Sequence, residues 1–309
     1  MFDYLVRRLV GVMLALWAAI TLAFLTIHIV PGNPAEAALS QSTASEDVLE
    51  RRREALGLDL PLPVQYAHYL RNLLRGDLGV SWSGGEPVGL MIAQQLPPTI
   101  SLAWAGLTVA VVTGFALGLG AALGQERWLG EASRSITGVL LAVPVMFSGT
   151  LAAWVFAILL GWLPATGQGS PGHLILPALV VGLNGAGGIS RTVEAGVSEA
   201  MRQPFMPAAY AKGLARWQAV TRHALRVGLI PTLDIVALQF GFLLGGTVVT
   251  ESVFARQGVG RLLLTAVLDK DLPVVQGVII LSAIAYSLLN LAADVAKTWL
   301  DPRIRFSPP

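Results

Sequence analysis

The 309-residue chain contains no cysteine. That excludes disulfides, zinc–thiolate sites and iron–sulfur clusters. Charge is scarce as well: Asp, Glu, Lys and Arg make up 13% of the residues, where a soluble globular domain carries about 25%. Histidine occurs four times, at His28, His68, His173 and His223, with no ligand spacing among them. No H-E-x-x-H, G-x-S-x-G or Walker A pattern is present, so the chain has neither a zinc-protease site, nor a serine-hydrolase elbow, nor a phosphate-cradling loop. Gly118-Leu119-Gly120 follows no strand and lies within an apolar run, which removes it as a dinucleotide fingerprint.

What fills the chain instead is apolar: 54% of residues are hydrophobic and mean hydropathy is +0.65. Several uncharged runs reach about 18 residues, enough to cross a hydrocarbon core as a helix. The expected fold class is an all-α membrane protein with six transmembrane helices, at residues 9–30, 99–123, 136–160, 174–189, 229–250 and 274–296. The fourth is short and carries Gly182, Gly185, Gly187 and Gly188. It is retained because its loss would put Arg127 and residues 208–231 on opposite sides. Residues 1–30 form an N-terminal helix, 31–98 a long loop, 99–296 a five-helix core and 297–309 a tail. Ala35-Glu36-Ala37 resembles a signal-cleavage site, but the preceding apolar run is too long for a signal peptide.

Positive charge sets the orientation. With the N-terminus inside, 13 of the 21 Lys and Arg residues fall on the cytoplasmic side, including Arg7, Arg8, Arg134, Arg191, Arg202, Lys212, Arg222 and Arg226. Both termini are therefore assigned to the cytoplasm. The net charge of +2 and pI near 9.1 belong with this loop bias and not with nucleic-acid binding.

The loop at 31–98 is expected to hold two short helices. One is capped by Ser45 and closed by Gly57; the other follows Pro61 and Pro63 and stops at Gly76. Either a docking surface or a plain cover over helix ends fits. Glycines at Gly114/Gly118, Gly120/Gly124 and Gly241/Gly245 have the spacing that lets helix backbones approach in lipid. The ionisable residues within spans, His28, Asp234 and Asp294, all lie near an interface, where water or a loop arginine can meet them. A proton- or sodium-coupled carrier would place its carboxylates deeper.

Residues 208–231, AAYAKGLARWQAVTRHALRVGLIP, form a cationic amphipathic segment between two spans. A short helix from near Pro207 to Lys212, a turn at Gly213 and a longer helix over 215–226 are expected. Leu214, Trp217, Val220 and Ala224 would share one face, with Arg222 and Arg226 on another. Pro231 suits the first turn of the fifth span. Two roles fit: a docking element for a partner, or a helix lying on anionic lipid.

This segment resembles the cytoplasmic "EAA" loop of ABC importer permeases, in the form A-x-A-K-G-L…R-H-A-L-x-x-x-x-x-P of the dipeptide, oligopeptide and nickel group. Similarity to the B-type permease of that group extends along the chain. It includes Tyr4 to Leu9 leading to Pro31-Gly32-Asn33-Pro34, LGLDLPLPVQY (56–66), RGDLGVS (75–81) and LPPTISLA (96–103). It continues in GGTVVTESVFARQGVGRLLLTAVLDKDLPVVQG (245–277), Asn290, Asp294 and the ending from Leu300 to Arg305. The pattern departs at Pro204, Pro207 and Ala208, where basic and acidic residues are usual, at Val227-Gly228 in place of Asn-Ala, and at Gln257 in place of proline.

The resemblance implies a type I ABC importer permease fold in a bacterial or archaeal plasma membrane. It implies a second, homologous permease subunit, two cytoplasmic ATP-binding subunits and an extracytoplasmic substrate-binding protein. ATP and magnesium belong to the ATPases, with no cofactor in this chain and no enzymatic activity of its own. The ATPase contact falls on Ala208, Ala209, Tyr210, Ala211, Lys212, Gly213 and Leu214, braced by Arg216, Trp217 and His223. A short peptide is the expected solute, with nickel or another metal chelate as the alternative. A stand-alone secondary transporter or channel is the competing class, and a membrane-anchored enzyme fails for want of a site.

Overall fold

The computed structural model describes residues 2–29, 59–124 and 128–300. The expected helix ending at Gly57 and the Ala35-Glu36-Ala37 site lie outside them. The regular secondary structure of the described residues is helical, apart from one isolated antiparallel bridge, Val80 with Pro87. In chain order the elements are α1 (Phe2–Ile29), α2 (Leu62–Leu74), α3 (Val88–Leu123), α4 (Trp128–Ala142), and α5 (Val145–Ala152), which continues as a π-helical stretch, Ala153–Leu159. Then come α6 (Gly172–Arg202), α7 (Phe205–Ala211), and α8 (Arg216–Ala219), which passes through a π-helical turn, Val220–Ala224, into α9 (Leu225–Gly228). The chain closes with α10 (Ile230–Gly246), α11 (Val248–Val253), α12 (Val259–Leu268) and α13 (Leu272–Leu300).

Four of these helices are long and apolar enough to cross a membrane, or up to six if each of two bent pairs is one span. The straight ones are α1, α3, α6 and α13. The span expected over 136–160 is broken instead: α4 and α5 meet at 99°. Pro144 is the cause. It lacks an N–H, pushes its predecessor out of the helical region and opens α5 at φ −62°, ψ 141°. The carbonyl freed at Val143 accepts the Asn184 side-chain amide at 3.2 Å. The span expected over 229–250 also divides, at Thr247, and α10 meets the helix before it at 55°. Pro231 does sit in the first turn of α10.

Helix α3 starts at Val88, well before residue 99, and carries Pro97 and Pro98 inside it. Two consecutive prolines remove two backbone donors, those that would reach the carbonyls of Ala93 and Gln94 one turn earlier. Ser101 Oγ donates to the Pro98 carbonyl at 2.7 Å. Helix α6 runs to Arg202, far beyond residue 189, and at 31 residues it is about 46 Å long.

The core is the pairing of α3 with α6. A methyl at Gly118 would lie 2.6 Å from the Ser190 carbonyl and from Val193 Cβ; one at Gly114 would lie 2.8 Å from the Ala186 carbonyl. At the other end of the same contact a methyl at Gly182 would lie 2.6 Å from the Gly106 carbonyl. Of the four glycines in the fourth span, Gly182, Gly185 and Gly187 are thus where neighbouring helices close on it. Gly241 and Gly245 seat α10 on Tyr286 and Ser282 of α13 in the same way. Around the α3–α6 seam pack Leu102, Ala103, Leu107, Ala178, Val181, Phe240 and Leu243.

Helix α1 exposes Leu9, Val10, Met13, Leu14, Trp17 and Leu22 and is fastened along one side. Arg8 pairs with the buried Asp294 of α13, so Asp294 meets an arginine of helix α1. The Gln276 amide donates to the Ala23 carbonyl at 2.8 Å. Thr21 bonds the Tyr66 hydroxyl at 2.7 Å and Phe24 meets the Tyr66 ring edge-on, which lays α2 against α1. Asp234 is exposed on α10.

Before α3, residues 77–88 form a tight turn held by Asp271, the residue that precedes α13. Its carboxylate accepts Ser81 Oγ at 2.5 Å, Ser83 Oγ at 2.8 Å, and the backbone N–H groups of Trp82 at 3.1 Å and Ser83 at 3.3 Å. Burial pushes this carboxyl up, but the two hydroxyls and two N–H groups outweigh it and hold it below the ordinary aspartate value. A carboxylate depressed in the folded state stabilises it above the unfolded pKa of about 3.9, and that contribution is lost as pH falls through the folded value. Asp271→Asn should therefore cost about 2 kcal/mol at neutral pH and should remove one acid-labile step below pH ~4, both read by thermal unfolding in detergent across pH. In the core, Gly118→Val should cost about 3 kcal/mol, because rigid backbone opposes the added carbons. Gly138→Ala, whose added carbon meets nothing within 4 Å, should leave the same melting curve unchanged.

Candidate coupling segment

The segment 203–229 is built outward from the end of α6. Val193, Val197 and Ala200 form a buried stripe there. Pro204 ends the helix and opens α7 with φ −60°, ψ −20°. Helix α7 starts at Phe205, so Pro207 stands inside its first turn instead of before it. Met206 and Ala209 point inward and join the α6 stripe, while Ala208, Tyr210, Ala211 and Lys212 are exposed.

Gly213 closes α7 in the left-handed region, at φ +79°. Its N–H donates to the Tyr210 carbonyl at 2.9 Å and the Leu214 N–H donates back to the Ala209 carbonyl at 3.3 Å. These two bonds are a Schellman ending, and half-buried Leu214 supplies the apolar contact that accompanies it. A Cβ at Gly213 would meet nothing within 4 Å. Glycine is required here by backbone conformation and not by space, so the expected joint is a fixed turn.

Beyond it, the Gln218 side chain accepts the Ala215 N–H at 3.2 Å and starts α8. Ala219, Val220 and Ala224 are buried against α6 and α7. Trp217 does not join them: it is 66% exposed. The packed face is rotated toward Ala219, and the π-helical turn keeps Val220 and Ala224 inward together. His223, Arg222 and Arg226 are also exposed. Trp217 and His223 thus face outward, and the packing of the segment is made by Met206, Ala219, Val220 and Ala224. The Arg216 side chain lies outside the described residues.

Two glycines fix where this hairpin crosses α6. Gly196 and Gly228 touch backbone to backbone, and a methyl at Gly228 would lie 2.6 Å from the Gly196 carbonyl and 2.9 Å from the Val197 nitrogen. Neither glycine has a partner at helical spacing in its own helix, so no local pattern marks them. Val227-Gly228 is nonetheless one of the positions at which the segment departs from the common Asn-Ala.

Beside the segment, α6 and α4 frame an open cavity of about 620 Å³ lined by Arg134, Arg191, Glu194, Ser198, Glu199 and Arg202. Arg134 donates to Glu194 at 2.7 Å and to the Ala121 carbonyl at 3.1 Å. The end of the core that carries 203–229 is thus strongly charged. Among the described residues, no group of three or more His, Asp or Glu side chains is placed to hold a metal ion.

Residues 114–306 match the family described as binding-protein-dependent transport system inner membrane component, and residues 1–103 match the N-terminal region described for the same systems. The glutathione transport system permease protein GsiC of Escherichia coli (strain K12) is 38% identical over 306 residues, covering 99% of this chain and 100% of that one. Its counterpart from Pectobacterium atrosepticum is 37% identical over the same span. Among solved structures, inward-facing forms of the MetNI methionine ABC transporter share the fold. One gives a TM-score of 0.59 at 16% identity, covering 68% of this chain and 96% of that one; another gives 0.57 at 17% identity. The chain belongs to the binding-protein-dependent transport system inner membrane component family, as a multi-pass ABC importer permease similar to the B-type subunits of the dipeptide, oligopeptide and nickel group.

Proposed function

We propose that this permease forms half of the pathway for a short peptide and is driven by ATPases docked on residues 208–214. The observation that carries the reading is the contrast across α7. Met206 and Ala209 are cemented to α6, whereas Tyr210, Lys212 and the locked turn at Gly213 face outward. A partner that grips this outward face moves α6 with it, because no slack joint intervenes. Ala208, Ala211 and Leu214 complete the contact, and Arg216 extends it together with exposed Trp217 and His223.

The reading includes six spans, with each bent pair counted as one, and both termini in the cytoplasm. The gathering of Arg134, Arg191, Arg202, Lys212, Arg222 and Arg226 around one end of the core supports that orientation. A second, homologous permease completes the pathway, two cytoplasmic ATPases bind ATP and magnesium, and an extracytoplasmic protein delivers the solute. This chain contributes no cofactor and no chemistry. A peptide is favoured as solute because relatives 38% identical along their whole length are named for glutathione transport.

Lys212→Glu or Gly213→Pro in the assembled importer should uncouple ATP hydrolysis from uptake or prevent the ATPases from assembling. Normal uptake with both variants would overturn the docking assignment. Gly228→Ala should push the hairpin off α6, because the added carbon meets rigid backbone, and should lower the uptake obtained per ATP hydrolysed. Uptake and phosphate release measured together in proteoliposomes give that ratio.

A further inference from the structure

At the end of the core remote from 203–229, Glu251 is buried to 0% exposure on α11. Its Oε1 accepts the hydroxyls of Thr99 on α3 at 2.8 Å and Thr247 at 2.7 Å, and its Oε2 accepts the Arg261 N–H at 2.9 Å. Thr99 Oγ1 in turn accepts the Val259 N–H at 2.8 Å. Val259 and Arg261 are the first and third residues of α12, whose own N-cap is Gly258 and has no side chain to offer. Two of the donors left open at the start of this helix are therefore closed from other helices, one by Glu251 and one by Thr99. A carboxylate is also the favoured charge at that terminus. Gly258 makes the room: a Cβ there would collide with the Glu251 carboxyl group.

The cap joins three elements that are far apart in sequence. Helix α12 has few other directional ties. Its inner face, Val259 and Ala266, rests on Val88, Ile92, Val274 and Val278, while Leu264, Val267 and Leu268 are exposed. Thr99 directly follows the Pro97-Pro98 pair, where α3 lacks two backbone donors. Nearby, Arg256 is 5% exposed and donates to the His173 carbonyl at 3.1 Å. Burial pushes its guanidinium down from the ordinary value and the Glu251 carboxylate offsets part of that.

We propose that Glu251 and Thr99 are positioning residues of the transport cycle: together they cap α12 from outside, and a shift of α3 against α11 breaks the cap and frees α12 from its seat. All three groups that meet the Glu251 carboxylate are donors, so the site fits two accepting oxygens. A glutamine there keeps one accepting oxygen of the two and loses the charge that strengthens these bonds, so it weakens the cap with almost no change in volume.

The absence of native cysteine supplies the test. Ala266→Cys places a thiol on the buried face of α12, where Ala266 is 4% exposed; Ala178→Cys does so on α6, away from α12, where Ala178 is 5% exposed. Each is introduced into the full chain, in membranes with its partner subunits, and maleimide labelling rates are compared with and without Glu251→Gln. The expected result is labelling at Ala266→Cys about tenfold faster with Glu251→Gln, as follows from losing a hydrogen bond to a charged group, with Ala178→Cys unchanged. Thr99→Val, which removes the hydroxyl from the other side of the cap, should act in the same direction and decides the matter if Glu251→Gln fails to assemble. An unchanged rate at Ala266→Cys would overturn the proposal. Equal acceleration at both positions would also overturn it, since the carboxylate would then merely hold the core together. Use of the proposed orientation enters only through the reagent: if the acceleration is seen with a membrane-permeant maleimide and not an impermeant one, the cap stands and the orientation falls.

Discussion

Everything in this molecule is arranged around a contact made by side chains that are not there. In lipid, helices gain nothing from the hydrophobic effect by meeting one another, so close van der Waals approach must hold them. Helices α3 and α6 achieve it through Gly106, Gly114, Gly118 and Gly182, each set against backbone or a β-carbon of the other helix. That seam makes α6 the central strut of the core. Because α6 continues without a break to Arg202, one rigid body joins the membrane interior to the segment on which the coupling elements are built. The second glycine crossing, Gly196 with Gly228, repeats the device where the chain comes back. Family membership accounts for the order of the helices; the glycines account for why they stay together without a soluble core.

Much of this was legible in the sequence, and the failures have identifiable causes. Gly114/Gly118 and Gly241/Gly245 carry the close-packing spacing within one helix and could be read as such. Gly106/Gly182 and Gly196/Gly228 pair across helices, so no local pattern announces them. Hydropathy located the apolar stretches well but could not see that Pro144 turns one of them through 99°, because residues on both sides are equally apolar. It also stopped α3 at Pro98 and α6 at Ile189. The first of these helices begins at Val88 and carries Pro97 and Pro98 inside it. The second simply leaves the apolar region and goes on to Arg202.

The coupling segment shows the same division. Gly213 was legible as a turn because only the left-handed backbone suits the sequence there, and φ +79° agrees. Trp217 was placed on the packed face by an ideal helical period, and the π-helical turn at Val220–Ala224 rotates that face away from it. Local chemistry determined the turn; helix register, which depends on what lies underneath, determined the tryptophan. The buried carboxylates were harder still. Asp271 is answered by residues 188 to 190 positions away and Glu251 by a threonine 152 positions away. In the sequence they look like ordinary loop charges.

The two ends of the core therefore differ in kind. Around 203–229 the packing is apolar and undirected: Met206, Ala209, Val220 and Ala224 against Val193 and Val197. Around α12 and the turn at 77–88 it is directional, with two carboxylates each gathering several donors. Apolar contacts between small side chains weaken gradually as surfaces slide. A hydrogen bond weakens steeply once its geometry is lost, and a buried donor left without its acceptor costs about 1–3 kcal/mol. On the proposed reading, a displacement applied at α7 enters through the undirected end and travels along α6 as a rigid movement. It becomes an open-or-closed outcome only where it reaches directional bonds. Bistability of that kind is what allows a small shift at one site to produce a discrete change at another. The Glu251–Thr99 cap joins three helices and is completed by the Val259 and Arg261 N–H groups at the start of α12. It is accordingly the place in this chain where a graded push has a physical reason to become a switch.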